Sequence, residues 1–283
     1  MITVLDVIKL STEYLSKKNI ESPRANAEIL LAEVLKCKRL GLYLSFDKPL
    51  NEQELNEYRE LLRKRSTRIP LQYLLGQTDF YGLNLFVDEN VLIPRPETEL
   101  LVETILKNHD LTIELKILDI GSGSGNISIA LAKNLPKSLI TGIDISEKAI
   151  KVSLKNKERN NLDNVDFLIF DIVKDDITKL GKFDLIVSNP PYVSKDDYEL
   201  LEPELKLYEP EDALTDGSDG TTFYKEIISK SQKLLNKPGY IYFELGKGLY
   251  EIVNQQMSEN KFSNIKIIKD YSGIERIISG EMI

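Results

Sequence analysis

Leu115-Lys116-Ile117 is a short apolar run of strand type, and Ile127-Ser128-Ile129-Ala130-Leu131-Ala132 is a good helix opening. Between them stands Leu118-Asp119-Ile120-Gly121-Ser122-Gly123-Ser124-Gly125-Asn126. A strand, a glycine-rich turn and a helix in that order form the nucleotide-cradling unit of α/β sheets. Glycine permits the tight turn and lets the backbone come close to a ligand. The spacing is G-x-G-x-G. The dinucleotide fingerprint G-x-G-x-x-G/A wants a small residue where Asn126 stands, which points away from NAD and toward a ligand without a pyrophosphate.

Three later runs repeat the strand signal, and each ends in a polar residue. Leu139-Ile140-Thr141-Gly142-Ile143 ends in Asp144, about 20 residues past the glycines, where an acidic residue reads a ribose diol. Val165-Asp166-Phe167-Leu168-Ile169-Phe170 ends in Asp171, and Phe183-Asp184-Leu185-Ile186-Val187-Ser188 ends in Asn189-Pro190-Pro191-Tyr192. In open α/β sheets this carboxyl edge is where ligands bind. The two prolines lack an N–H and keep the backbone extended, so the Pro190 carbonyl is expected to be an unclaimed acceptor. The Asn189 side-chain oxygen is a second acceptor and the Tyr192 ring a flat apolar plate. Together they suit a planar –NH₂ group. On these four residues alone, a proline-rich turn with Asn as turn former is an equal alternative.

Charge and composition exclude several classes. The net charge is −8 and unevenly spread. Residues 1–75 hold 13 Lys/Arg against 10 Asp/Glu, and the remainder holds 24 against 35. A protein that works on nucleic acid normally shows a basic footprint over its working half, and here that half is acidic. The single cysteine, Cys37, excludes an intramolecular disulfide and fits a reducing compartment. No apolar stretch approaches a membrane span, and Met1–Leu10 has no signal-peptide pattern, so a soluble, cytoplasmic protein is expected. With one histidine, His109, and one cysteine, neither Ser-His-Asp chemistry nor a usual zinc site is expected. His109 is read as solvated or capping at a helix end. Asp175-Asp176 and Asp196-Asp197 are read as loop charges.

Along the chain three segments are expected. Residues 1–75 read as a small helical domain. Ser22-Pro23 reads as an N-cap with proline at the first helical position, and Asn51 with Glu54 as a capping box. Arg59, Arg63, Lys64, Arg65 and Arg68 cluster near the end of the last long helix. They either complement its dipole and face water or form a docking patch for an acidic protein partner. Residues 76–96 read as a hairpin over Phe80–Val87 and a proline-rich linker. Residues 97–283 alternate strand and helix as in a doubly wound α/β sheet, with Gly239–Glu244 a further strand and a final antiparallel pair at Ile265–Ile268 and Glu275–Ile278.

The glycine-rich turn, Asp144, Asp171 and Asn189–Tyr192 resemble class I S-adenosylmethionine-dependent methyltransferases that act on exocyclic or amide nitrogen. Ile93-Pro94-Arg95-Pro96-Glu97-Thr98-Glu99, Pro70-Leu71-Gln72-Tyr73-Leu74-Leu75-Gly76 and Tyr208-Glu209-Pro210 with Ala213-Leu214 resemble the PrmC/HemK family. These are the glutamine-N5 methyltransferases of peptide-chain release factors, and the resemblance runs over nearly the whole chain.

The resemblance implies a Rossmann-like class I methyltransferase sheet with a final antiparallel strand behind a helical substrate-docking domain. It implies S-adenosylmethionine as cofactor and S-adenosylhomocysteine as product, held by Gly121, Ser122, Gly123, Ser124, Gly125, Asp144, Asp171, Ile172 and Asn189. Asn189, Pro190 and Tyr192 are implied as catalytic, and Asn189, Pro190, Pro191 and Tyr192 as the substrate grip, with no metal. The implied partner is a class 1 release factor, met by a monomer with no stable nucleic-acid partner and no membrane.

Two other readings are weighed against this one. Methylation of an adenine or guanine amino group fits the –NH₂ grip but not the acidic second half. A non-catalytic binding protein has no use for both intact glycines and an intact Asn189–Tyr192.

Overall fold

A computed structural model of the chain describes residues 2–110 and 112–283. Met1, the first residue of the stretch read for a targeting pattern, and Leu111 lie outside them. The chain divides into two compact units, Met1–Gly76 with Pro203–Tyr208, and Gln77–Glu202 with Glu209–Ile283.

In the first unit, helices α1 (Val4–Lys17), α2 (Pro23–Val34), α3 (Arg39–Tyr43), α4 (Glu52–Ser66) and α5 (Leu71–Leu75) enclose a core of Leu15, Leu30, Leu31, Leu42 and Tyr58. Asn51 and Glu54 cap α4 reciprocally, as the spacing predicts. Ser22 stands at the N-cap of α2, but its φ of 47° is left-handed and its hydroxyl makes no capping bond. Only Pro23 at the first position starts that helix in the expected way. Arg65 leaves the basic cluster, because it is buried and donates to Asn26 Oδ1 (2.7 Å), Ile69 O (3.0 Å) and Glu204 Oε2 (3.0 Å). Glu204 belongs to the short helix Pro203–Tyr208, which the sequence places among residues 97–283 and the fold places with residues 1–76.

The second unit opens with a two-stranded hairpin, β1 (Gln77–Phe80) and β2 (Leu83–Phe86). Its two turn residues, Tyr81 and Gly82, both have positive φ, as a tight hairpin turn requires. Then come α6 (Pro96–Asn108), β3 (Lys116–Ile120), α7 (Asn126–Asn134), β4 (Leu139–Asp144), α8 (Glu147–Arg159), β5 (Val165–Ile169) and β6 (Phe183–Ser188). They are followed by α9 (Lys195–Leu200), α10 (the Pro203–Tyr208 helix of the first unit), α11 (Thr222–Leu234), β7 (Leu235–Glu244), α12 (Tyr250–Glu259), β8 (Phe262–Lys269) and β9 (Glu275–Met282).

The sheet order is β5-β4-β3-β6-β7-β9-β8. The first five of these strands are parallel, and β9 runs antiparallel to both of its neighbours. This is the doubly wound sheet with a final antiparallel strand that the sequence predicts. Side chains on a strand alternate between faces, and both faces here are covered. Ile117, Leu185 and Tyr242 enter one core with Leu101, Ile105 and Ile129, while Leu118, Ile186 and Phe243 enter the other with Ile227, Val253 and Met257. Burial on both faces explains why the strands read as unbroken apolar runs.

Some readings need correction. Strand β3 continues through Leu118-Asp119-Ile120, because Ile117–Ile120 pair with Leu185–Ser188 on β6. The turn proper therefore starts at Gly121. His109 stands at the C-cap of α6, as expected, and is half-buried rather than freely solvated: its Nε2 lies 3.0 Å from the Tyr242 hydroxyl and its ring packs edge-on against Tyr240 and Tyr242. Burial lowers its pKa. Asp196 and Asp197 are not loop charges; they lie in the first turn of α9, which Ser194 caps. Among the described residues no helix is long and apolar enough to cross a membrane.

Candidate active site

The ends of β3, β4, β5 and β6 are neighbours in space, and the strand order reverses between β3 and β6. That reversal opens a crevice at the carboxyl edge, where ligands settle. The glycine-rich turn closes over β4 through Gly121 N and Ser122 N, which donate to Ile143 O at 2.9 and 3.0 Å. Gly125 has φ +79°, and a Cβ there would lie 2.8 Å from the tip of the Phe167 ring and 3.0 Å from the Ser153 Cβ, so any other residue is strained and must push those side chains aside. Asn156 on α8 ties the hairpin to this turn, bonding Phe86 on both backbone groups and Ser124 O at 2.9 Å.

Asp144 Oδ2 accepts from Gly123 N and Oδ1 from Ser146 N, each at 2.9 Å. The carboxylate is thus fixed in orientation, and each oxygen keeps a lone pair for a further donor. Burial raises its pKa. Asp119 is fully buried, and Ser128 donates to its Oδ2 from both N (3.2 Å) and Oγ (2.6 Å). Its Oδ1 and the Ser122 hydroxyl are buried with no hydrogen-bond partner among the described residues. Orphaned polar atoms beside a glycine turn suit a ligand that carries its own donors and acceptors.

At the end of β5, Asp171 turns its carboxylate back onto its own loop. Oδ1 accepts from Val173 N (2.9 Å) and Lys174 N (3.2 Å), and Oδ2 lies 3.4 Å from Lys174 Nζ. Burial pushes its pKa up, but these bonds outweigh it and hold the carboxyl below its ordinary value. Ile172 packs into the core beside Phe170. Its carbonyl accepts from Lys230 Nζ at 2.5 Å, a contact between α11 and this loop that no sequence pattern signals.

At the end of β6, Asn189, Pro190 and Tyr192 line a cleft with Leu92, Arg95, Ala213 and Leu214. Pro191 follows in the same extended segment, half-buried. No described residue donates to the Pro190 carbonyl or to Asn189 Oδ1, whereas Asn189 Nδ2 donates to Thr98 Oγ1 at 3.2 Å. Thr98 in turn donates to Glu244 Oε2 at 2.7 Å, and the Tyr192 hydroxyl donates to Glu244 Oε1 at 3.3 Å. The Tyr192 ring lies so close to Gly246 that a Cβ there would come within 2.8 Å of it. Burial, then the nearby Glu244 carboxylate, raises the Tyr192 pKa, so its hydroxyl keeps its proton.

The expected site residues Gly121–Gly125, Asp144 and Asn189–Tyr192 are thus brought to one edge of one unit. Thr98, Glu244, Arg95 and Glu209 had no assigned role. Thr98, Arg95 and Glu209 stand inside motifs that are conspicuous in the sequence, and Glu244 ends a strand at the same edge, which is the signal that could have found them. Among the described residues no group of three or more His, Cys, Asp or Glu could hold a metal ion.

Comparison with known proteins decides the family. The family model described as the PrmC N-terminal domain matches residues 6–76, and one described as a methyltransferase domain matches residues 111–277. A release factor glutamine methyltransferase of Fusobacterium nucleatum is 46% identical over 275 residues, covering 97% of this chain and 77% of that protein. One of Geobacter sulfurreducens is 40% identical over 282 residues, covering 99% and 97%.

The chain belongs to the release factor glutamine methyltransferase family.

It is therefore a methyltransferase enzyme. The crystal structure of a methyltransferase from Pyrococcus furiosus shares the fold, with a TM-score of 0.54 at 20% identity over 78% of this chain and 99% of that one. Within the release factor glutamine methyltransferase fold, the two unclaimed acceptors at Asn189 and Pro190 sit one strand away from the glycine-rich turn.

Proposed function

We propose that this enzyme transfers the methyl group of S-adenosylmethionine to the side-chain amide nitrogen, N5, of the glutamine in the Gly-Gly-Gln loop of class 1 peptide-chain release factors. The observation that carries this reading is the pair of acceptors, Asn189 Oδ1 and Pro190 O, with no donor among the described residues, beside an aromatic plate. An amide –NH₂ has two hydrogens for those two oxygens.

The residues present fit the cofactor. Asp144 would take the ribose hydroxyls, Gly121–Gly125 would lie beneath the methionine and ribose, and Asp171 and Ile172 would border the adenine. The sulfonium supplies a methyl group already on a good leaving group, so the acceptor is the harder problem. An amide nitrogen shares its lone pair with its carbonyl, the resonance that gives a peptide bond a rotation barrier of ~18–20 kcal/mol. Asn189 and Pro190 hold both N–H groups, point the nitrogen across the crevice and stabilise the positive charge that develops on it. Tyr192 fixes the amide plane. Transfer would form the new N–C bond as the donor's S–C bond breaks, and the surplus proton would leave to water afterwards. Most of the rate gain comes from positioning.

The chain acts as a monomer in the cytoplasm on this reading, with the helical unit of residues 1–76 docking the body of the release factor and the second unit, from Gln77 onward without Pro203–Tyr208, as the transferase. The competing reading, methylation of a nucleic-acid base amino group, is disfavoured by the excess of 35 Asp/Glu over 24 Lys/Arg beyond residue 75. The test is transfer of radioactive methyl from S-adenosylmethionine to release factor, naked DNA and ribosomal RNA in parallel. Label on the release factor alone is expected, lost when its glutamine is replaced. Label on either nucleic acid and none on the factor overturns the proposal.

A further inference from the structure

A side-chain amide has two ends of nearly the same shape, and only its hydrogen bonds decide which end faces which way. For Asn189 the decision is made at a distance. Its Nδ2 faces Thr98 Oγ1 (3.2 Å), and Thr98 faces Glu244 Oε2 (2.7 Å). Thr98 and Glu244 are each 1% exposed, so no solvent competes for these bonds. An ionised carboxylate can only accept. While Glu244 is ionised, the single Thr98 proton is committed to it, and the Thr98 oxygen is left to accept from Asn189. The polarity of the chain is fixed from its buried end, and Oδ1 is what remains for the cleft. The other carboxylate oxygen takes the Tyr192 hydroxyl at 3.3 Å. One buried side chain thus holds both ends of Asn189–Tyr192.

We propose that Glu244 is a positioning residue for methyl transfer. Through Thr98 it sets which end of the Asn189 amide faces the substrate, and through the Tyr192 hydroxyl it sets the ring that flanks it. This rests on the acceptor role proposed above for Asn189. It goes beyond that role in making the acceptor face a property of Glu244 ionisation.

If Glu244 takes up a proton it becomes a donor, and Thr98 is free to donate to Asn189 instead. The amide then turns over and presents –NH₂ to a substrate –NH₂. The groups facing Glu244 are Arg276 on β9, Glu97 on α6, Tyr192, and Tyr224 on α11, whose hydroxyl donates to the Glu244 main-chain oxygen at 2.7 Å. Arg276 is bonded to Asp270 Oδ2 at 3.2 Å, which leaves the two hydroxyls as the direct partners of the carboxylate. Burial raises the Glu244 pKa, bringing its titration nearer to the working range. The sign is fixed: turnover is full above that pKa and falls as pH drops through it.

The test uses the full-length enzyme with intact release factor. Thr98→Val keeps the side-chain shape and removes the hydroxyl link. It is expected to lower kcat about 10- to 100-fold, the scale of losing a group that orients a reacting one, with cofactor affinity and KM within about threefold of the parent. Thr98→Ser restores the link and should recover most of kcat. Glu244→Gln should abolish the fall of kcat at low pH. Undiminished kcat in Thr98→Val, a Ser variant no better than Val, or a loss confined to KM overturns the positioning role. Asn189→Ala run in the same assay separates the two ideas. If it is fully active, the amide grip itself is wrong; if it is impaired while Thr98→Val is not, only the role of Glu244 falls.

Discussion

Arg95 and Glu209, 114 positions apart in the sequence, meet at 2.5 Å, and the second oxygen of Glu209 accepts the backbone N–H of Ile93 at 3.1 Å. A single buried carboxylate thereby holds the proline-rich loop that forms one wall of the cleft. Two motifs that look unrelated in the sequence, Ile93–Glu99 and Tyr208–Pro210, are the two sides of this contact.

Glu209→Ala leaves a guanidinium and a buried N–H without their acceptor. Breaking a fully buried pair costs about 3–5 kcal/mol, but the Arg95 side chain is one-third exposed and water compensates in part, so a loss of about 1–3 kcal/mol is expected. Denaturant unfolding measures it. An unchanged midpoint and slope would mean that the loop is held by packing alone.

Cofactor affinity should depend on Asp144. Its replacement by Ala removes a charged hydrogen bond of ~1.5–3 kcal/mol and should weaken S-adenosylmethionine binding roughly ten- to hundredfold. Calorimetry decides the point: equal affinity in the mutant, or tighter binding of NAD by the parent, contradicts the assignment.

Turnover should depend on Asn189. Asn189→Ala should fold, bind cofactor and lose about 10²–10³-fold in kcat, the scale of deleting one preorganised polar contact to a transition state. Tyr192→Phe keeps the ring and loses only the bond to Glu244, so its effect should be smaller than that of Tyr192→Ala. Single-turnover rates with saturating cofactor give both comparisons, and Phe as damaging as Ala would show that the hydroxyl, not the ring face, matters.

Burial pushes the Asp119 carboxyl up from the usual carboxylate range to about 7. Over the window from about 4 to 7 the folded protein binds a proton that the unfolded chain releases, so this residue's contribution to stability declines as pH rises through it. Asp119→Asn cannot titrate. Unfolding free energies at pH 4.5 and pH 7.5, measured without cofactor, should therefore fall more for the parent than for the variant; parallel changes would place the Asp119 pKa outside this window.

A short peptide must lose its own conformational freedom in the cleft, so intact release factor should be a far better substrate than a Gly-Gly-Gln peptide. Arg59, Arg63 and Lys64 remain exposed on α4, although Arg63 pairs with Glu60 and Arg59 with Asn56. Reversing these three charges should raise KM for the whole factor several-fold and leave KM for the peptide unchanged. An equal rise on both substrates, or none on either, returns them to a water-facing role.

The sequence by itself determined the sheet and which of its edges carries the polar strand ends. Glycines at 121, 123 and 125, apolar runs of strand length, and polar residues at the end of each run are local signals, because turn geometry and two-sided burial act on neighbouring residues. They place Asp144, Asp171 and Asn189 at one edge without further information. The capping box of Asn51 and Glu54 is legible for the same reason, since its partners are three residues apart. Only the tertiary structure decided what holds those groups. Asn189 reaches Thr98 across 91 positions, Thr98 reaches Glu244 across 146, and Arg65 draws Glu204 into the helical unit across 139. Contacts of this kind carry no periodicity. A buried polar group must find a partner, but which partner is set by how the elements pack, and a lone sequence does not record that.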